Sequence, residues 1–252
     1  MNTILIKIGG SVITRQGKDP INLTAIKRLA RQLRSHKERI ILVHGTGHIG
    51  KPPALKYGYT ETQILSSTES LTALQIRNSI QKLTMCVSNT LINFGIPAIA
   101  IDNTHFFGYF AKTRSEDRVA DLIKSFTENK IVPVFGGNFL PLQNGGYRVL
   151  SSDEVTFAIA RLVRPERVIF LSNVDGVLDA NNQPVPVFKK DMLKMIQDNE
   201  NDVSGGMKTK VKTALKLKDY CAACYILNGT RKDILRQALQ GVCDSGTRIS
   251  FS

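Results

Sequence analysis

The sequence has 252 residues, 42% hydrophobic and 22% charged, which is ordinary globular usage and excludes a disordered chain. Its 34 Lys and Arg against 21 Asp and Glu leave a formal charge of +13, a balance that favours anionic partners. The basic residues are dispersed and no aromatic-basic signature accompanies them, so a nucleic-acid module is not expected, and no apolar run approaches the roughly 20 residues of a membrane span.

Ile4-Leu5-Ile6-Lys7-Ile8 predicts a buried strand running into Gly9-Gly10-Ser11. Leu23, Ile26, Leu29, Ala30 and Leu33 share one face of a helix over 23–35, with Asn22 or Thr24 as its cap. Ile40 to Val43 is a second strand, ending at His44-Gly45-Thr46-Gly47. A long helix is predicted over 66–94, a strand over 98–101, a helix over 119–128, and a strand over 131–135 that ends at Gly136-Gly137. Hairpins are expected at Tyr109-Phe110-Ala111 and over 140–149, around Asn144-Gly145-Gly146. A helix over 153–162 precedes a strand over 168–171 that ends at Ser172-Asn173-Val174-Asp175-Gly176-Val177. A helix over 208–219 and a last strand over 224–227, running into Asn228-Gly229-Thr230, complete the order.

Apolar strands alternating with helices predict an α/β fold, a mostly parallel central sheet sandwiched by helices. Ligands of such sheets sit beyond the carboxyl ends of the strands. The expected organisation is a single domain with an N-terminal lobe of about residues 1–165 and a C-terminal lobe of about 166–252. Cys86, Cys221, Cys224 and Cys243 frame no disulfide scaffold, and the Cys221/Cys224 pair has no histidine nearby to complete a zinc set, so buried, inert thiols are expected. The N-terminal residues lack a basic region followed by a cleavage site, and a cytoplasmic location is expected.

Nearly every predicted strand ends in glycine. Gly9-Gly10-Ser11 follows the first strand, with Lys7 just before it, and Gly45, Gly47 and Gly50 follow the second. Gly205-Gly206 precedes a helix whose first turn carries Lys208 and Lys210. Free amides and the helix dipole at such a start favour an anion, whereas lysines there oppose the dipole unless an anion lies between. Each cluster alone reads as a tight turn beside solvated lysines. Together, at strand ends of one chain, they predict a phosphate site. The P-loop pattern is absent, and Gly45 to Gly50 reads as a glycine loop other than the dinucleotide fingerprint. His44 reads as a structural hydrogen bonder, and His105, Phe106, Phe107 and Tyr109 as a core aromatic cluster.

Ile6-Lys7-Ile8-Gly9-Gly10-Ser11-Val12-Ile13-Thr14 resembles the opening of the amino acid kinase superfamily. His44-Gly45-Thr46-Gly47-His48-Ile49-Gly50, continued by Lys51-Pro52-Pro53-Ala54-Leu55-Lys56-Tyr57-Gly58, resembles the second glycine loop of its isopentenyl phosphate kinase and fosfomycin kinase branch. Ser151-Ser152-Asp153-Glu154, then Leu171 to Val177, then Asp202 to Lys210 follow in the same order. The resemblance implies a kinase using ATP and Mg²⁺ on a small anionic substrate, and a homodimer. It implies that Lys7 binds the transferring phosphoryl group beside Gly9, Gly10 and Ser11, that Lys210 stabilises the leaving phosphate, and that Asp153 holds both lysines in place. Gly45, Thr46, Gly47, His48, Gly50 and Lys51 would hold the substrate's phosphate. Ser172, Asn173, Asp175, Gly176, Gly205, Gly206 and Lys208 would lie near the nucleotide, with Lys7 and Lys210.

The chain departs from that pattern at named positions. Lys51 stands where the branch has His, His48 where a small residue is usual, Gln16 where relatives carry Lys, Gly137 where Asp is frequent, and Asn173 where Asp is common. His can switch its charge near neutral pH, whereas Lys is a fixed cation. The second glycine loop with its Ala54-Leu55-Lys56-Tyr57-Gly58 continuation implies, through the resemblance, a diphosphate made from a small phosphate monoester, or its phosphonate analogue. The alternative is an acyl phosphate made from a carboxylate, and a non-enzymatic nucleotide or nucleic-acid binder is the third reading.

Overall fold

The computed structural model describes residues 2–34, 36–57, 63–64, 67–103, 116–141, 146–196 and 206–251. Its main sheet has eight strands in the order β4-β5-β2-β1-β8-β10-β11-β9. These are β1 (Thr3–Ile8), β2 (Arg39–His44), β4 (Ala98–Ala100), β5 (Val132–Gly136), β8 (Arg167–Ser172), β9 (Val187–Phe188), β10 (Ala223–Asn228) and β11 (Gly246–Ile249). All neighbours are parallel except β10 and β11. A smaller antiparallel sheet joins β3 (Gln63–Ile64), β7 (Gly146–Leu150) and β6 (Asn138–Pro141) in that order.

The period of two along β1 sorts the core into two halves. Ile4, Ile6 and Ile8 pack with residues of α2 (Leu23–Leu33) and α4 (Ser67–Asn93). Leu5 packs with residues of α5 (Glu116–Glu128), α6 (Ser152–Val163) and α7 (Gly206–Leu215). Lys7 has the parity of Leu5, so a cation at the end of β1 is aimed at the α6 layer. Both faces of the central strands are covered, which is why they read as unbroken apolar runs.

The expected elements appear with boundaries shifted by a few residues. Asn22, not Thr24, caps α2, its Oδ1 accepting from Ala25 N at 3.1 Å. The hairpin expected over 140–149 is β6–β7, in register Asn138 to Leu150; the one at Tyr109 lies outside the described residues, as do His105, Phe106 and Phe107. The helix expected over 208–219 is divided, α7 giving way to a 3-10 turn over Lys216–Asp219. Unexpected elements are α1 (Gly10–Ile13), α3 (Gly47–Lys56), α8 (Ile234–Leu239), β3, β9, β11 and a 3-10 helix over Lys190–Met195. Pro52 and Pro53 sit inside α3, where a sequence reader places a break. Burial raises the thiol of Cys221 to about 12 and that of Cys243 to about 11, values that leave them unreactive.

Candidate active site

Two glycine loops meet backbone to backbone at the carboxyl ends of β1 and β2. Gly45 N donates to Ile8 O at 2.8 Å, tying the second loop to the first strand. A methyl group on Gly10 would stand 2.1 Å from Gly47 N, and one on Gly45 would stand 2.6 Å from Gly10 N. Gly47 has φ +47° and would push the same carbon against Thr14 Oγ1. Only hydrogen fits at these places. Thr14 completes the junction: its hydroxyl donates to Gly10 O at 2.8 Å and accepts from His48 N at 3.0 Å.

The loops open into a cavity of about 760 Å³, its mouth included. Residues that begin four helices line it: Gly10 of α1, Gly47 of α3, Ser152 of α6 and Gly206 of α7. Helix starts carry unsatisfied N–H groups and the positive end of the dipole, so their convergence makes the chamber electropositive before any side chain is counted. Ala54, Ile80, Phe139 and Val149 form an apolar part of the wall.

Lys7 Nζ lies 3.0 Å from Asp153 Oδ1, with the two side chains only 7% and 11% exposed. Burial pushes the Asp153 carboxyl up, but the charge and hydrogen bond of Lys7, then the charges of Lys210 and Lys51, outweigh it and hold the group below its ordinary value. Lysines from three elements therefore surround one carboxylate, and all four residues line the cavity. Such a chamber carries cation in excess, which an arriving phosphate would offset.

His44 stiffens the floor. It is fully buried, and burial drives its imidazole down to about 4, so the ring is neutral. Its Nδ1–H donates to Gly45 O at 3.1 Å, and Nε2 pairs with Thr84 Oγ1 at 2.9 Å. A methyl group on Gly136 would meet this ring at 2.7 Å. Gly137 lies against the start of α6, so that a Cβ there would be 2.9 Å from Ser152 N.

Residues 2–228 match the model of the amino acid kinase family. The chain belongs to that family. It is 28% identical to the isopentenyl phosphate kinase of Methanocaldococcus jannaschii and 30% identical to that of Methanothermobacter thermautotrophicus, each alignment covering 98% of both chains. It is 26% identical to the glutamate 5-kinase of Methanosarcina acetivorans, over 96% of this chain and 66% of that one. Among solved structures, an isopentenyl phosphate kinase superposes with a TM-score of 0.78 at 25% identity, covering 98% of this chain and 100% of the other.

Within this amino acid kinase fold the remaining expected site residues take separate places. Gly9 N donates to Leu171 O at 2.7 Å, which sets the cavity next to the ends of β8 and β10. There Asp175 accepts from Asn228 Nδ2 at 2.7 Å and from Arg231 Nη2 at 2.6 Å. These two hydrogen bonds, first Asn228 and then Arg231, hold its carboxyl below its ordinary value. Ser172 is buried and accepts from Gly229 N, and Asn173 is exposed. Gly176, at φ +126°, lies against Thr247. None of these four lines the cavity, and neither does Lys208. Gly205 lies outside the described residues. His48 points away: its side chain is exposed, it is not part of the lining, and its contribution is the amide bonded to Thr14. Arg15, next to Gln16, is exposed and bonded to Asp19.

Sequence reasoning missed Thr14, the apolar wall and the Asn228–Arg231 loop. It also set aside a real pattern, because Gly45, Gly47 and Gly50 do stand at G-x-G-x-x-G spacing after β2 and into the first turn of α3. What separates them from a dinucleotide site is their partner: the backbone of Gly10 occupies the space against Gly45 and Gly47.

Proposed function

We propose that this protein is an ATP-dependent kinase that transfers the γ-phosphoryl group to the phosphate of a small phosphate monoester, giving a diphosphate. The observation that carries the reading is the cavity with Lys7, Lys51 and Lys210 around Asp153, the one carboxylate among its described lining residues, beside an apolar wall. A chamber holding a donor phosphate and an acceptor phosphate together needs more cation than one holding either alone. Isopentenyl phosphate is the reference acceptor, since full-length relatives carry that name. The carboxylate alternative was motivated by the missing His. Lys51 lines the cavity and acts on Asp153, so a cation remains on the acceptor side, which supports the phosphate reading.

In this reading Lys7 and the first-loop amides meet the charge of the transferring group, Lys210 meets the leaving phosphate, and the second glycine loop with Lys51 holds the acceptor. Asp153 orients the lysines and takes no proton. Residues 1–165 would hold the acceptor and residues 166–252 the nucleotide, beyond the ends of β8 and β10. Mg²⁺ enters as the counter-ion of ATP. The described residues do not fit a protein-held metal: no cluster of His, Cys, Asp and Glu suits one, and Asp153 is already engaged by Lys7. The reading includes a cytoplasmic homodimer; among the described residues no helix is long and apolar enough to cross a membrane.

The test is ADP release on a panel of isopentenyl phosphate, other small phosphate monoesters, phosphonates and amino acids, with Lys7→Ala as the blank. Turnover of a phosphate or phosphonate, lost in the blank, supports the reading. Turnover confined to carboxylates would move the protein to acyl phosphate chemistry.

A further inference from the structure

The helix α2 grips the segment after β10 at two points one helical turn apart. Arg28 Nη2 donates to Gly229 O at 2.7 Å, and Nη1 donates to Thr230 O. Gln32 Oε1 accepts from Leu235 N at 3.0 Å and from Arg236 N at 3.4 Å. It thereby caps α8, whose own N-cap residue, Asp233, makes no side-chain cap bond. The same helix is anchored at its start to the end of α1, the helix that follows Gly9, through Asn22 N to Ile13 O at 2.9 Å.

The two grips differ in kind. Gln32 is neutral and satisfies helix amides, as a cap does. Arg28 is a cation whose partners are two neutral carbonyls, and its Nε is buried without a partner. Burial accordingly lowers its ordinary value. Desolvating a guanidinium against carbonyls is a poor way to gain stability alone. The position it fixes leads elsewhere. Thr230 donates from N and Oγ1 to Asn228 Oδ1, at 2.9 and 2.6 Å. Asn228 and Arg231 are the groups that hold both oxygens of Asp175.

We propose that Arg28 is a positioning residue for nucleotide binding: by clamping the Gly229 and Thr230 carbonyls it sets the Asn228–Asp175–Arg231 network against which ATP docks. The inference rests on the proposed placement of the nucleotide beyond β8 and β10. Arg28 touches neither ATP nor acceptor in this scheme, so its effect falls on nucleotide affinity and leaves acceptor affinity alone.

The experiment is a calorimetric titration of a non-hydrolysable ATP analogue with Mg²⁺ into wild type, Arg28→Ala, Arg28→Lys and Gln32→Ala, with a thermal melt of each and KM values for ATP and acceptor. Arg28→Ala is expected to raise the nucleotide Kd about tenfold, the scale of one charge-assisted hydrogen bond lost, with acceptor KM unchanged. Arg28→Lys keeps the charge and should recover part of the loss; it carries the test if the alanine variant does not fold. Gln32→Ala should lower the melting temperature while its nucleotide Kd stays within about twofold of wild type, because a cap acts on stability and not on Asp175. Wild-type affinity in both Arg28 variants, or equal weakening in Gln32→Ala, overturns the inference and leaves the kinase reading standing. A wild-type protein that binds no ATP analogue defeats both.

Discussion

Asp153, in the first turn of α6, and Asp175, in the loop after β8, are both carboxylates held below their ordinary value, yet for different reasons. Asp153 is buried, and three lysines overcome that burial. Asp175 is part-exposed and owes its shift to hydrogen bonds from Asn228 and Arg231. A charge in low dielectric is expensive unless fully paired, so the first region is rigid and intolerant. The second is wet, and its pairs can open and close at little cost. Rigid electrostatics suits the transferring group, and an adjustable surface suits a nucleotide that must enter and leave.

The strongest way to break this contrast is Lys7→Ala. It leaves Asp153 buried beside Lys51 and Lys210 alone, and losing one partner of a buried pair costs about 3 kcal/mol or more. Turnover should fall by at least about 10²-fold, the scale of one lost transition-state donor. Urea unfolding and the ADP assay check the two effects separately. A variant of wild-type stability would show that the pair is effectively solvated.

Gly10→Ala tests the rigidity of the floor. Its methyl would sit 2.1 Å from Gly47 N, backbone that cannot rotate away, and overpacking of this kind costs about 1–3 kcal/mol. The acceptor KM should rise with it, since Gly45 and Gly47 shift together. A fully active, equally stable Gly10→Ala protein would mean that the two loops part easily.

How much of this could be read beforehand divides along the same line. Lys7, Gly9, Gly10, Gly45, Gly47 and Lys210 were legible because glycine at a strand end and lysine beside it leave a mark in any chain, whereas Asp153 was expected only through the family resemblance. The alternation that aims Lys7 at α6 was implicit in Ile4 to Ile8. The wall of Ile80, Phe139 and Val149 was not legible, because α4 and a hairpin contribute it and no local pattern marks an apolar side chain as lining rather than core. β11 was hidden by its length of four residues, and α3 by Pro52 and Pro53. The Asn228–Arg231 loop escaped because its meaning depends on Asp175, 53 residues away in sequence from Asn228. At His48 the structure shows the amide bonded to Thr14 and the side chain exposed, a division of roles that no local pattern marks.

His44 supplies a pH test of the rigid region. Its value falls from 6.5 in the unfolded chain to about 4 in the fold, so the unfolded state binds more protons between those limits. Stability is therefore unaffected above pH 6.5, declines as pH falls from 6.5 to about 4, and levels off below. The total loss is about 3 kcal/mol, from 1.36 kcal/mol per unit. Asp153, lowered from 3.8, contributes stability that is lost only as pH falls below that value, so the two windows do not overlap. Unfolding free energies measured from pH 7.5 to 4 should slope in wild type and flatten in His44→Gln. An equal slope in both would place the titrating group elsewhere.

The smallest effect is expected at Arg231. Its bond to Asp175 is short, 2.6 Å, but the two side chains are 52% and 38% exposed, and pairs of that kind contribute about 0.2–1 kcal/mol, less at high salt. Arg231→Ala should leave the melting temperature nearly unchanged, and raising the salt should erase what difference there is. Its consequence belongs to binding, since the variant frees one Asp175 oxygen and removes a cation from the proposed nucleotide side. The ATP KM should rise while the acceptor KM and the acid limb set by His44 stay where they are. A large stability loss in Arg231→Ala would mean that the strand-end surface is built as rigidly as the cavity, and the division of labour between Asp153 and Asp175 would have to be given up.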